Sequence, residues 1–537
     1  MNERKELSAG YGAIATAVIA LLTYILALKN GFAFDDVVLI PNDARVINGQ
    51  LATLLTTSYW NDAALALYRP LTSLSFGLDW ALADGAAAWF HFTNVIWHAL
   101  ASTLVFVLLK RYFTVTAALV GGALFAVHPV HVEAVANVVG RAELMATSFV
   151  LAACILWPRI ELRSARAAIV AVLYFLALCA KEGAVVLPAL VMLVDFAEGH
   201  WSFRTLVPWL RRRAPELLAL VATLLVYILI RGSVLQGLAP TKVDPSLEVV
   251  QNSWHRVLTA LQAWPFALKV LVWPWTLLAD YGPQILLPIG EWNSLAVLGA
   301  TIVIALVGGG ILALAKGYRV AALALLWYPV AILPVANFFI PIGVLLAERT
   351  LYLPSVALSF AVAALLTALA RYRPDTQRAI AVALSLVIVL FAVRSMMRIP
   401  EWKSTDSILF RLVKDRPDAF RGQWHVARDH REHNRVAAAL ASYDQAFRLW
   451  PYREGLVQEV AAYASSQGHT AYARDVATFG AQRWPQNVQF YRLAVGNSLD
   501  LGDTATAARM VRAGLQFHPG DSLLNRMSQA VMPRTVP

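Results

Sequence analysis

Charge is the first thing this sequence lacks. Of 537 residues, 15% are Asp, Glu, Lys or Arg and 58% are hydrophobic. Soluble domains carry about 25% charged residues, so the shortage excludes an ordinary soluble protein and indicates a polytopic membrane chain. Cysteine is almost missing. Cys154 and Cys179 both lie inside apolar runs, which excludes a disulfide framework and leaves the redox compartment open. No GxxxxGK[ST] loop, convincing Rossmann fingerprint, HExxH helix or serine nucleophile elbow occurs, so the chemistries built on those motifs have no seat here. Gly308-Gly309-Gly310 lies within an apolar run and reads as helix packing.

What is present is long, continuous hydrophobicity. The runs are near span length without alternation, which predicts helices and not a barrel. Apolar segments fall at 11–29, 89–109, 114–128, 143–157, 167–180, 184–197, 214–231, 294–315, 319–340, 351–370 and 379–397, an expectation of about eleven spans. The first follows Arg4 and Lys5 without a small-residue cleavage site and reads as a signal anchor. The net charge of +11 is concentrated in short loops, so it reports topology and not nucleic-acid binding. Lys110-Arg111, Arg159/Arg163/Arg166, Arg211-Arg212-Arg213, Lys316 with Arg319, and Arg371/Arg373/Arg378 fall in every second loop, predicting one cytoplasmic face. Residues 253–275, with Trp254, Trp264, Trp273 and Trp275, are read as an interfacial or re-entrant helix, which preserves that parity.

The opposite, external face then collects the polar clusters. Asp35-Asp36 leaves the first run. His128-Pro-Val-His131-Val-Glu133 leads to Arg141-Ala-Glu143; Lys181-Glu182, Asp280-Tyr281 and Glu348-Arg349 follow. Ionisable groups at span ends are costly unless solvated or used. A helix started by Pro129 is expected to put Glu133, Asn137 and Arg141 on one polar stripe. His128, His131 and Glu133 admit two readings, ligands of a divalent metal or members of a hydrogen-bond network. In the first loop, Leu51–Leu67, Tyr68-Arg69-Pro70-Leu71 and Ser75–Trp80 are expected to lie as interfacial helices beside the acidic pair.

After residue 397 the composition turns polar, giving a membrane domain over 1–397 and a soluble one over 398–537. Pro417, Pro451, Pro485 and Pro519 share one spacing, 34 residues, as do Ala439, Ala473 and Ala507, and Gly468 with Gly502. This is the mark of tetratricopeptide repeats, about three here, on the external side by span parity. The expected architecture is all-α, a polytopic helical domain followed by an α-solenoid.

A carboxylate pair at a membrane surface, met by Arg, Lys and His from other span ends, suits a lipid-linked phosphate substrate. The cations would hold the phosphate and a carboxylate would act as general base on an acceptor hydroxyl. Tyr68-Arg69-Pro70-Leu71, Phe125-Ala-Val-His128-Pro-Val-His131-Val-Glu133-Ala, Val139-Gly140-Arg141-Ala-Glu143, Lys181-Glu182, Ala347-Glu348-Arg349-Thr-Leu-Tyr352-Leu-Pro354-Ser355 and the repeats together resemble the TMTC family, transmembrane O-mannosyltransferases of the GT-C class. The resemblance implies a GT-C fold, a polyprenyl-phosphate mannose donor, a protein Ser/Thr acceptor and single-displacement inversion. Carried onto this sequence, it makes Asp35 the base and Asp36 its orienting partner, with Arg69, His128, His131, Glu133, Arg141, Lys181, Glu182, Glu348 and Arg349 binding substrate. No cofactor is fixed, and a divalent metal stays open. The expected partners are the lipid-linked donor, the membrane and a protein or peptide held by the repeats; nucleic acid is not expected. The short repeat array and compact loops favour a bacterial inner membrane over the endoplasmic reticulum. Two other classes compete: a membrane scaffold built on the repeats, in which the acidic pair is dispensable, and a lipid or polymer transporter, which needs charges near mid-span.

Overall fold

A computed structural model of the chain describes residues 2–60, 67–235, 247, 249–250, 252–372 and 377–531. Arg373 and part of the expected helix Leu51–Leu67 lie outside the described residues, as do the side chains of Arg4, Lys5 and Arg378. Among the described residues every regular element is helical. The chain forms two compact units, Met1–Tyr281 with Leu286–Ile408, and Gly282–Ile285 with Leu409–Pro537. The division falls later than residue 397 because the 3-10 end of the last apolar helix, Ile399–Lys403, is packed into the first unit's core, where Ile399 is 0% and Trp402 2% exposed.

Among the described residues of the first unit seven helices are long and apolar enough to cross a membrane: Ala9–Lys29, Ala87–Leu109, Val138–Leu156, Arg163–Ala180, Phe203–Leu235, Ser294–Lys316 and Ala379–Lys403. The pair Val115–Val127 and Pro129–Ala136, bent by 43°, makes an eighth if counted as one span. Three of the eleven expected segments are shorter. Arg319–Val335 and Val356–Tyr372 are apolar but brief, and the helix Leu187–Ala197 has 11 residues because a 3-10 turn, Glu182–Val186, precedes it. Residues 253–272 form a helix of 20 residues that is not among the membrane-length apolar ones. Close packing there needs a glycine: a Cβ on Gly299 would sit 1.9 Å from the Leu261 carbonyl oxygen.

Ion pairs gather at the two ends of these helices. At one end Arg111 pairs with Glu198 at 2.9 Å, Arg166 with Glu216 at 3.0 Å and Arg213 with Asp195 at 3.2 Å. Part of the basic surplus read from the loops is thus neutralised within the fold. The helix Arg163–Ala180 runs 18 residues from that layer to Lys181 in the other, a rise of about 27 Å, close to the hydrocarbon thickness of a bilayer.

The second unit is a succession of short helices from Phe420–Glu432 to Ser522–Val531. The 34-residue step falls on equivalent points of successive helix pairs. Asn434, Gly468 and Gly502 take positive φ (57°, 76° and 73°) at the turn inside each pair, a conformation that favours Gly and tolerates Asn. Ala439, Ala473 and Ala507 are each 0% exposed where helices cross.

Candidate active site

The first helix ends in a 3-10 turn, Ile25–Lys29, and the chain reverses through Phe34 at φ 49°, ψ −120°. A non-glycine residue there is strained, and such strain persists only where the surroundings hold it. The turn separates the roles of the two carboxylates that follow. Asp36 is 0% exposed and accepts hydrogen bonds from the backbone N–H groups of Val138 (3.0 Å) and Val139 (2.8 Å). Burial pushes its pKa up to about 7 against the pull of those N–H groups. Asp36 is therefore a brace between the first loop and the His-Pro loop. Asp35 is half-buried, and its charge is felt by Arg349 and by Tyr59.

Around it stand three cation–carboxylate pairs, each joining residues far apart in sequence. Arg69 grips Glu182 with two bonds, 2.9 and 2.6 Å, its guanidinium 5.1 Å from the Tyr59 ring centroid. Burial alone would raise the Glu182 pKa, but the Arg69 charge and hydrogen bonds outweigh it and hold the carboxyl at about 2. Arg349 holds Glu133 through its guanidinium, and its backbone N–H donates to the same carboxylate at 2.9 Å. Lys181 pairs with Glu143, and burial pulls the ammonium below its usual range. From the Lys181–Glu143 pair a narrow, half-open cleft runs between Ala146, Val150, Ala331, Val335 and Leu353. It is ionic at one end and mostly apolar along its walls.

Other candidates lie behind this cluster. Arg141 is 0% exposed. Its three nitrogens donate to Asn94 Oδ1 (2.8 Å), to Ser75, to Asp79 (2.6 Å) and to the Phe90 carbonyl (3.0 Å). It packs between the first loop and the helices with each of its guanidinium nitrogens engaged. The expected stripe of Glu133, Asn137 and Arg141 does not form. The segment breaks into Pro129–His131, Val132–Ala136 and Val138–Gly140, with Asn137 extended. The cause is tertiary: Asp36 takes the N–H groups of Val138 and Val139, and Asn94 Nδ2 meets the carbonyls of Val135, Asn137 and Val138.

The histidines belong to a hydrogen-bond network. His128 Nδ1 accepts from the Val130 N–H while Nε2 meets the Leu271 carbonyl at 2.9 Å. His131 Nδ1 meets the Phe125 carbonyl and Nε2 the Ser355 hydroxyl, both at 2.9 Å. With both ring nitrogens of each engaged, and Glu133 held by Arg349, this trio does not fit a metal, and among the described residues no three His, Cys, Asp or Glu side chains converge to hold one. Glu348 is buried beneath Arg349, accepting from Arg398, Tyr281 and the Leu278 N–H.

Three residues enter that motif reading did not supply. Tyr59, 2% exposed, lies under Arg69, and its hydroxyl has no partner among the described residues. Asp79 and Arg398 complete buried pairs. The signal available in sequence was slight: Arg398 is a cation at the end of the last apolar run, and Tyr59 stands in an otherwise ordinary loop.

The apolar helices and the ion pairs gathered at their ends indicate a polytopic membrane protein, helical throughout its described residues, with a candidate site where several helix ends meet. No model of a known protein family matches the chain. Its relatives are protein O-mannosyl-transferases of the TMTC family. It is 27% identical to protein O-mannosyl-transferase F38B6.6 of Caenorhabditis elegans over 403 residues, 73% of this chain and 56% of that one. It is 26% identical to TMTC3 of Mus musculus (73% and 46%) and 24% identical to TMTC4 of the same species (80% and 65%). The chain spans about half the length of the first of these relatives. Among solved structures, the archaeal oligosaccharyltransferase AglB from Archaeoglobus fulgidus, in complex with an inhibitory peptide and a dolichol-phosphate, is a looser likeness: TM-score 0.40, 14% identity, 74% of this chain and 56% of that one.

Proposed function

We propose that this chain is a GT-C-type glycosyltransferase that moves mannose from a polyprenyl-phosphate donor to an acceptor hydroxyl, that of a protein Ser or Thr, at the non-cytoplasmic membrane face. The observation that carries the reading is the gathering of the pairs Arg349–Glu133, Arg69–Glu182 and Lys181–Glu143, with Asp35 acting on Arg349 and Lys181 at the head of an apolar-walled cleft. The names of the relatives support the same activity.

In this reading the lipid chain lies along the cleft and its phosphate meets Lys181, Arg69 and Arg349. These cations are already paired, so the phosphate competes with Glu182 and Glu133 for the guanidinium forks, which match phosphate geometry as well as carboxylate. Asp35 takes the proton of the acceptor hydroxyl. The hydroxyl oxygen forms a bond to the sugar C1 as the bond from C1 to the phosphate oxygen breaks on the opposite face. The electron pair leaves on the phosphate, where the cations stabilise it, and the anomeric centre inverts. The 34-residue helix pairs of the second unit are read as a tetratricopeptide solenoid offering a groove to a peptide.

The test is transfer from radiolabelled polyprenyl-phosphate-mannose by purified protein, wild type against Asp35→Asn, with and without chelator. The expected result is a loss of about 10²–10⁴-fold in Asp35→Asn with membrane insertion and melting temperature unchanged. Full activity in the variant removes Asp35 as base. No turnover by well-folded wild type with several lipid-phosphate sugars favours a scaffold built on the helix pairs. Loss of turnover on chelation assigns a metal.

A further inference from the structure

The two turns that carry Asp35 and Arg349 are far apart in sequence, yet one short segment touches both. Residues 398–405 are the 3-10 end of the last apolar helix and the turn after it. Toward the first turn, the Ile399 carbonyl accepts from Asn30 Nδ2 at 2.9 Å, the Lys403 carbonyl from the Gly31 N–H at 3.0 Å, and Thr405 Oγ1 from the Phe34 N–H at 2.9 Å. The approach is close enough that a Cβ on Gly31 would sit 3.2 Å from the Lys403 oxygen. Toward the second turn, Arg398 holds Glu348 with both terminal nitrogens, one bond being 3.1 Å, and the pair is 1% and 0% exposed. Glu348 immediately precedes Arg349.

We propose that segment 398–405 is the positioning element of the site, setting the Asp35 turn through backbone contacts and the Arg349 turn through the Arg398–Glu348 pair. The inference rests on the reading of Asp35 as base and Arg349 as phosphate ligand. Its physical ground is the strain at Phe34, whose φ of 49° needs outside support. The Thr405 hydroxyl and the Trp402 ring, 6.2 Å centroid to centroid from that of Phe34, stand against that residue. Arg398 and Thr405 are positioning residues and touch no reacting atom.

The test uses the full-length protein in lipid nanodiscs and two variants with different addresses. Thr405→Val keeps the side-chain shape and removes the acceptor of the Phe34 N–H. It is expected to speed amide exchange in 31–36, to lower kcat by at least about tenfold and to leave donor KM unchanged. Arg398→Gln removes the fork from Glu348. It is expected to speed exchange in 347–352 and raise donor KM, with Arg398→Lys restoring part of both. If Arg398→Gln fails to insert, Thr405→Val and Arg398→Lys carry the test. Wild-type exchange and wild-type kcat in Thr405→Val overturn the proposal, and so does faster exchange with kcat untouched. A fully active Asp35→Asn measured alongside defeats the catalytic reading of Asp35 instead, while the exchange data still judge whether the segment holds the turn.

Discussion

At the residue scale the adjacent carboxylates Asp35 and Asp36 do different work, and pH separates them. The folded-state pKa of Asp36 is about 7 against an ordinary 3.8, chiefly from burial. Between those values the folded chain binds more protons than the unfolded one, so this group makes folding less favourable as pH rises through that window. Glu182 has the opposite sign. Its pKa, held at about 2 against an ordinary 4.5, contributes stability present above 4.5 and lost as pH falls toward 2. Melting temperatures in detergent are therefore expected to show two separable limbs. Asp36→Asn should flatten the fall between about pH 5 and 7, and Glu182→Gln should flatten the loss below about pH 4.5. Identical profiles in wild type and Asp36→Asn would mean that the brace to Val138 and Val139 carries no charge. That the two acids matter could be read from their place at a span end; which of them is buried could not, because the partners of Asp36 lie a hundred residues further on.

At the element scale the His-Pro loop shows where local pattern stops being informative. Pro129 starts a helical turn as its chemistry dictates, but the helix does not run on to Arg141. The N–H groups of Val138 and Val139 find a carboxylate instead of carbonyls of their own helix, and a charged acceptor makes the stronger bond. The break brings Gly140 against the preceding turn, where a Cβ would lie 2.2 Å from the Ala134 carbonyl oxygen. Backbone on backbone has no soft side chain to yield. Gly140→Ala is expected to cost about 1–3 kcal/mol, read as a lower melting temperature, and to speed exchange in 33–39 because the donors to Asp36 move. A melting temperature equal to wild type would mean the loop accommodates the methyl group and is not rigidly defined. The same distinction holds elsewhere in the chain. The helix start at Pro129, the 34-residue register and the small residues recurring in it are local or periodic and were legible. The pairs Arg69–Glu182, Arg349–Glu133 and Arg398–Glu348 are contacts between distant segments, so sequence could offer their members but not their pairing.

At the scale of the whole molecule, hydropathy located the apolar segments, and three of the eleven coincide with helices shorter than a full span. The ion pairs themselves lie in two layers, at both ends of these helices. Arg166 at one end of helix Arg163–Ala180 pairs with Glu216, and Lys181 just beyond the other end pairs with Glu143. The 15 residues from Arg166 to Lys181 rise about 22 Å along this helix, which with the reach of the two long side chains approaches the roughly 30 Å hydrocarbon of a bilayer and suits the two layers to its opposite faces. The excess of Lys and Arg at the Arg166 end predicts that this end is cytoplasmic. Ser164 and Ala86 are both exposed and lie in the two regions, whereas the native thiols of Cys154 and Cys179 are buried. In intact cells a membrane-impermeant maleimide is expected to label Ala86→Cys directly and Ser164→Cys only after permeabilisation. The reverse pattern would invert the orientation and put the candidate site on the cytoplasmic face, where the proposed donor geometry would have to be abandoned. Labelling of both from one side would show that the ion-pair layers do not bracket a bilayer at all.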